Sequence, residues 1–110
     1  MDKLKTVVKE WVKKAENDFK ACMILKDSDD PPLDVIGFHC QQTVEKYLKA
    51  VLVYHQRHVR KIHDLGEIFR ECCELDPYFE FLKEEIMELN AFGPDVRYPF
   101  SLMELFRQLF

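Results

Sequence analysis

Apolar residues recur every three or four positions from the start of the chain. Leu4, Val8, Trp11, Ala15, Phe19 and Cys22, continued by Lys26, form one stripe of an amphipathic helix over about residues 3–26. Lys3, Lys9, Lys13 and Lys20 lie among its polar positions. The run Asp27-Ser28-Asp29-Asp30-Pro31-Pro32 breaks the pattern and predicts Asp30 as the cap of the next helix, with Pro31 in its first turn. Ile36, Cys40, Val44, Tyr47, Leu48 and Val51 then mark the buried stripe of a second helix from about Leu33 to His55. Gly37 lowers helix propensity there by about 1 kcal/mol relative to Ala, and it permits close packing on the first helix.

The segment from His55 to His63 carries three His, two Arg and one Lys with no acid, and reads as a connection. Asp64 predicts an N-cap, with Glu67 completing a capping box. Leu65, Ile68, Phe69, Cys72 and Leu75 give a short third helix. Asp76-Pro77 is a cap followed by proline at the first helical position. Phe79, Leu82, Ile86 and Leu89 carry a fourth helix to about Asn90, where Gly93-Pro94 stops it. Ser101 and Glu104 form a further capping box before Leu102, Leu105, Phe106 and Leu109. No strand alternation and no internal repeat is present. The prediction is an all-α fold, an antiparallel up-and-down bundle of four to five helices in one domain over residues 1–110. The last helix reaches Leu109-Phe110 without a stop signal. The expectation is that it docks on the bundle, pairs with a second copy, or belongs to a truncated segment.

Composition narrows the class. With 110 residues, 47% hydrophobic, the chain has the size of one domain with its own core. Three Gly and five Pro argue against disorder and against a turn-rich β-sandwich. No apolar run approaches the roughly 18 residues of a membrane span. No apolar segment follows the charged start as in a signal peptide, so the expectation is a cytoplasmic protein away from membranes. Cys22, Cys40, Cys72 and Cys73 lack C-x-x-C spacing, and reduced thiols on apolar helix faces behave as small hydrophobes.

The net charge of -4 disfavours broad nucleic-acid coating, but it is unevenly spread. Residues 1–63 hold 12 Lys/Arg against 9 Asp/Glu, and residues 64–110 hold 4 against 11. All four His fall between His39 and His63. A local phosphate pocket in the basic half stays compatible with an acidic chain.

The strongest chemical constellation is His39, Gln42, Lys46 and Lys49, which share an arc of about 80° on the second helix. Two lysines a turn apart repel unless an anion or a carboxylate sits between them. His and Gln add donors and acceptors, and the set suits a phosphate with an attached base or sugar. The same spacing also fits a solvated face in which Glu45 pairs with Lys49 at i, i+4. His63, before the Asp64 cap, is placed to turn toward a phosphate on free helix amides, or is only the residue preceding the cap. Arg97 and Tyr98 precede Pro99 in a loop, where Arg holds a phosphate bidentately and the ring stacks on a base, or where Arg pins the loop to the acidic fourth helix. His39 has no His, Asp or Glu at i+3 or i+4, so no metal site and no cofactor is expected.

The run Phe38-His39-Cys40-Gln41-Gln42-Thr43-Val44-Glu45-Lys46-Tyr47-Leu48-Lys49-Ala50 resembles the signature helix of the HEPN family. Trp11 with Ala15 and Asp18 resembles its first helix, His63-Asp64-Leu65 its third-helix start, and Val96-Arg97-Tyr98-Pro99 its late loop. The resemblance spans nearly the whole chain, and the family usually continues through a longer last helix. It implies an up-and-down bundle, often a homodimer, that binds a nucleotide or RNA phosphate. It also implies pairing with a minimal nucleotidyltransferase in toxin–antitoxin modules. By position, His39, Gln42, Lys46, Lys49, His63 and Arg97, with Tyr98 beside it, would line the site.

Some family members resemble metal-independent ribonucleases with an Arg-to-His motif. Arg57 and His63 fit that spacing, with His63 as general acid/base and Arg57 on the phosphate. In ribonuclease members the motif leads the late helix, where this chain has Arg97-Tyr98-Pro99 and no following His. The ribonuclease is therefore the alternative reading.

Overall fold

The computed structural model describes residues 2–59, 61, 64–91, 103, 107 and 108. Among them the regular elements are helical: α1 (Lys3–Lys26), α2 (Leu33–Tyr54), α3 (Leu65–Leu75), a 3-10 helix (Pro77–Leu82) and α4 (Lys83–Ala91). The all-α prediction holds for the described chain.

Helix α1 starts where Asp2 accepts a hydrogen bond from the Leu4 amide at 3.0 Å. Its stripe is buried unevenly. Ala15, Phe19 and Cys22 are fully inside, whereas Leu4, Val8 and Trp11 are only partly covered. Helix α2 begins at Leu33 with Pro32 in the cap position and no side-chain cap bond. This corrects the expectation of an Asp30 cap with Pro31 in the first turn. A residue before proline is pushed off the α region, so Pro31 is kept extended by Pro32. Asp30 instead turns the chain with φ 49°.

The end of α2 is a Schellman motif. The Arg57 amide donates to the Leu52 carbonyl at 2.9 Å, and the Gln56 amide to Val53 at 2.8 Å. Gln56 takes the left-handed conformation this closure needs, with φ 59°. Asp64 caps α3 by accepting from the Glu67 amide at 3.2 Å. The fourth element differs from a plain α-helix because it opens in 3-10 form after the Asp76 cap. Three residues per turn place Phe79 and Leu82 together inside and set Tyr78 beside Phe81 outside, ring centres 4.9 Å apart and planes tilted by 58°.

The helices meet around α2. Contacts run down α1 as they run up α2: Cys22 meets Ile36 and Cys40, and Trp11 meets Lys49, so the two are antiparallel. Cys72 of α3 donates to the Leu48 carbonyl, and Gln41 donates its amide to Leu89 of α4 at 2.7 Å. As a result α2 is enclosed from Thr43 to Leu52, with only Lys46 in that stretch part-exposed. The predicted solvated side of α2 is thus largely covered. Near the end of the chain, Met103 is fully buried, and Arg107 pairs with Glu16 at 3.0 Å and covers the Phe19 ring. Arg107 thus docks on α1 and Met103 joins the core, and docking on the bundle is one of the outcomes expected for the last helix. Its Ser101–Glu104 capping box and Leu109-Phe110 lie outside the described residues.

Candidate functional site

The site builds on the seam between α1 and α2. Ala15 and Cys22 are small and fully buried on α1, so its backbone comes close to α2. Asp18 lies one turn from each and presents its carboxylate to α2. One oxygen meets His39 Nδ1 at 2.9 Å, and the other accepts from the Lys46 ammonium. Two side chains of α2 therefore converge on one carboxylate of α1. They are half-buried, with exposures of 28% for His39, 23% for Lys46 and 13% for Asp18.

The carboxylate fixes the imidazole. A proton on Nδ1 faces Asp18, which leaves Nε2 as the acceptor of the neutral ring or a second donor of the charged one. Gln42 lies on the same ridge of α2, three residues after His39 and four before Lys46, and is half-buried. Phe38 stands exposed with its ring edge-on to His39. A shelf of imidazole, amide and ammonium beside an exposed aromatic suits an anionic group joined to a planar one.

Lys49 behaves differently from Lys46. Its ammonium is buried and bonded to Glu45 at 3.1 Å, and it lies 5.5 Å from the Trp11 ring centre. Lys14 approaches the same ring at 5.1 Å. The Glu45–Lys49 pairing that the spacing allowed is formed, but in the interior rather than on a solvated face. Lys49 is thereby separated from the open part of the shelf.

Two thiols lie beneath. Cys22 Sγ and Cys40 Sγ are 3.5 Å apart and fully buried. The hydrogen bond from Cys40 pulls the Cys22 thiol below its ordinary value, and the same bond together with burial pushes Cys40 far up. Burial pushes Cys72 up to about 12 and also raises Cys73. Among the described residues no group of three or more His, Cys, Asp or Glu is gathered as a metal-ligand set.

The remaining sequence candidates fall elsewhere. Arg57 and His58 line a shallow cavity of about 310 Å³ with Glu71, Glu74 and Leu75, past the end of α2. From Gln42 to Tyr54 the helix rises roughly 18 Å, so Arg57 is remote from the shelf. His63, Arg97 and Tyr98 lie outside the described residues. Asp18 is the residue of this cluster that site selection by sequence missed. Its signal was present: Lys46 needs a carboxylate partner, and Asp18 lies three residues after Ala15 and four before Cys22, beside the buried stripe of α1.

A second opening of about 730 Å³ lies between the first turns of α1, the end of α2 and the 3-10 helix, lined chiefly by Leu4, Val8, Val12, Tyr54 and Phe79. No helix among the described residues is long and apolar enough to cross a membrane. A family model described as the HEPN domain matches residues 8–106. No curated protein and no solved structure matches the chain.

Proposed function

Because the chain belongs to the HEPN family over residues 8–106, we propose that it is the nucleotide-binding component of a toxin–antitoxin-like module. In this reading it acts in the cytoplasm as a homodimer alongside a small nucleotidyltransferase. The observation that supports it is the half-open shelf of His39, Gln42 and Lys46 above Asp18. Lys46 supplies a point charge for a phosphate, the His39 imidazole a directional hydrogen bond, and the Gln42 amide a contact to the sugar or base. Arg97 adds a bidentate phosphate contact, Tyr98 a stacking surface, and His63 a further donor from the start of α3. Lys49 contributes from the interior, holding Glu45 and Trp11 in place behind the shelf.

Titration of ATP, GTP and a short RNA into the folded protein tests this reading. Binding changes Trp11 fluorescence and raises the melting temperature; ligand at a hundredfold excess over Kd adds about 2.7 kcal/mol of stability. Lys46→Ala removes both signals. No response to any of the three ligands at millimolar concentration overturns the proposal. Co-purification with a neighbouring nucleotidyltransferase tests the partnership separately.

A further inference from the structure

A phosphate bound on the shelf would need the position that Asp18 already holds. The carboxylate gives one oxygen to His39 and the other to Lys46, the same divided contact a phosphate makes. We infer that Asp18 is an internal competitor that makes the site select a terminal, doubly charged phosphate over the singly charged phosphodiesters of an RNA backbone. This inference rests on the nucleotide-binding reading above and names the ligand class of that same site.

The argument is one of exchange. Binding replaces one anion by another between the same two donors. A phosphodiester carries a single charge, as Asp18 does, so it gains nothing in Coulomb attraction by the swap. Asp18 is also tethered, so its effective concentration at the donors exceeds that of a free diester. A terminal phosphate carries close to two charges at neutral pH and attracts the same ammonium and imidazole more strongly. It displaces the carboxylate where the diester does not. The released Asp18 side chain is part-exposed, so water can hydrate it instead of leaving it stranded in the core. Lys49 cannot shift the balance by taking over the incoming anion, because its ammonium is buried against Glu45. The preference for terminal phosphate is thus built into the seam between α1 and α2, upstream of any reading of the base.

Calorimetric titration with two matched probes tests this. Adenosine 5′-monophosphate has a terminal phosphate, and the dinucleoside monophosphate ApA has only a diester. The wild-type protein binds the first at least about tenfold more tightly, a difference of about 1.4 kcal/mol. Asp18→Asn keeps the side-chain shape and removes the charge. It binds both probes more tightly and narrows the ratio between them. A folded Asp18→Asn protein with unchanged or weaker affinity for the monophosphate overturns the inference and leaves the nucleotide reading standing. Absence of binding by either probe to either protein overturns that reading, and this inference with it. A measurement on the wild type needs no variant: the Asp18 carboxyl carbon and the His39 ring nitrogens shift together in NMR spectra as the monophosphate saturates. An Asp18 carboxyl resonance that stays fixed at saturation overturns the competition.

Discussion

Lys49 of α2 reaches the Trp11 ring of α1, its ammonium 5.5 Å from the ring centre, while bonded to Glu45 at 3.1 Å. An ion pair and an aromatic contact thus share one buried cation. Removing the cation takes a charge-assisted hydrogen bond from Glu45 and the cation contact from Trp11, a loss of about 1.5–3 kcal/mol. Lys49→Met is expected to lower the urea midpoint accordingly and to alter Trp11 emission. Lys46→Met, at the half-open position, lowers stability much less.

Gln56 closes α2 in the left-handed conformation with φ 59°. A residue with a Cβ loses about 1 kcal/mol there relative to glycine. Gln56→Gly is expected to raise stability by a few tenths to about 1 kcal/mol, and Gln56→Val to lower it. Chemical denaturation of the three proteins side by side measures the order.

The Cys72 thiol donates to the Leu48 carbonyl and is pushed up to about 12 from an ordinary 9.0, first by burial and then by Cys73 and Glu71. The folded state therefore holds its proton more tightly than the unfolded chain does. Its contribution to stability is complete below pH 9.0 and is lost as pH rises toward about 12. The slope reaches at most about 1.4 kcal/mol per pH unit. Urea melts from pH 9.0 upward are expected to show the decline, and Cys72→Ala to make it shallower.

Arg57 shares its cavity with Glu71, Glu74 and Leu75, away from the His39 shelf. Purified protein is expected to leave RNA intact in EDTA. Cleavage that resists EDTA and disappears in both Arg57→Ala and His63→Ala would replace the binding reading by the ribonuclease one.

Much of the fold was legible because periodicity depends only on local spacing. The stripe from Leu4 to Cys22 placed α1 at Lys3–Lys26, and Asp64 with Glu67 placed the start of α3. The start of α2 at Leu33 was legible from its stripe, but its cap was not: Pro31 looks like a first-turn residue only until the constraint Pro32 puts on it is counted. The 3-10 opening before α4 was hidden, because Phe79 and Leu82 lie three apart in either helix type. At the site, His39, Gln42 and Lys46 were visible as one ridge. What could not be read was which helix covers that ridge. Lys46 and Lys49 look alike in sequence, yet Asp18 holds one at the surface and Trp11 covers the other. That difference belongs to packing between helices, on which residue spacing is silent.

The enclosure of α2 has a consequence for how the molecule comes apart. From Thr43 to Leu52 nearly every side chain is covered, with α1 reaching Lys49, α3 reaching Leu48, and α4 meeting α2 at Gln41 just before that stretch. No single neighbour can peel away and leave that stretch stable, because the apolar surface it exposes has no other cover. The amides of residues 43–52 therefore exchange with solvent only when the whole bundle opens, and they report its global unfolding free energy. The first turns of α1, partly covered at Leu4 and Val8, fray long before that. The chain is thus graded in cooperativity, with its most durable segment at the middle of the sequence and lying directly under the shelf that carries His39 and Lys46.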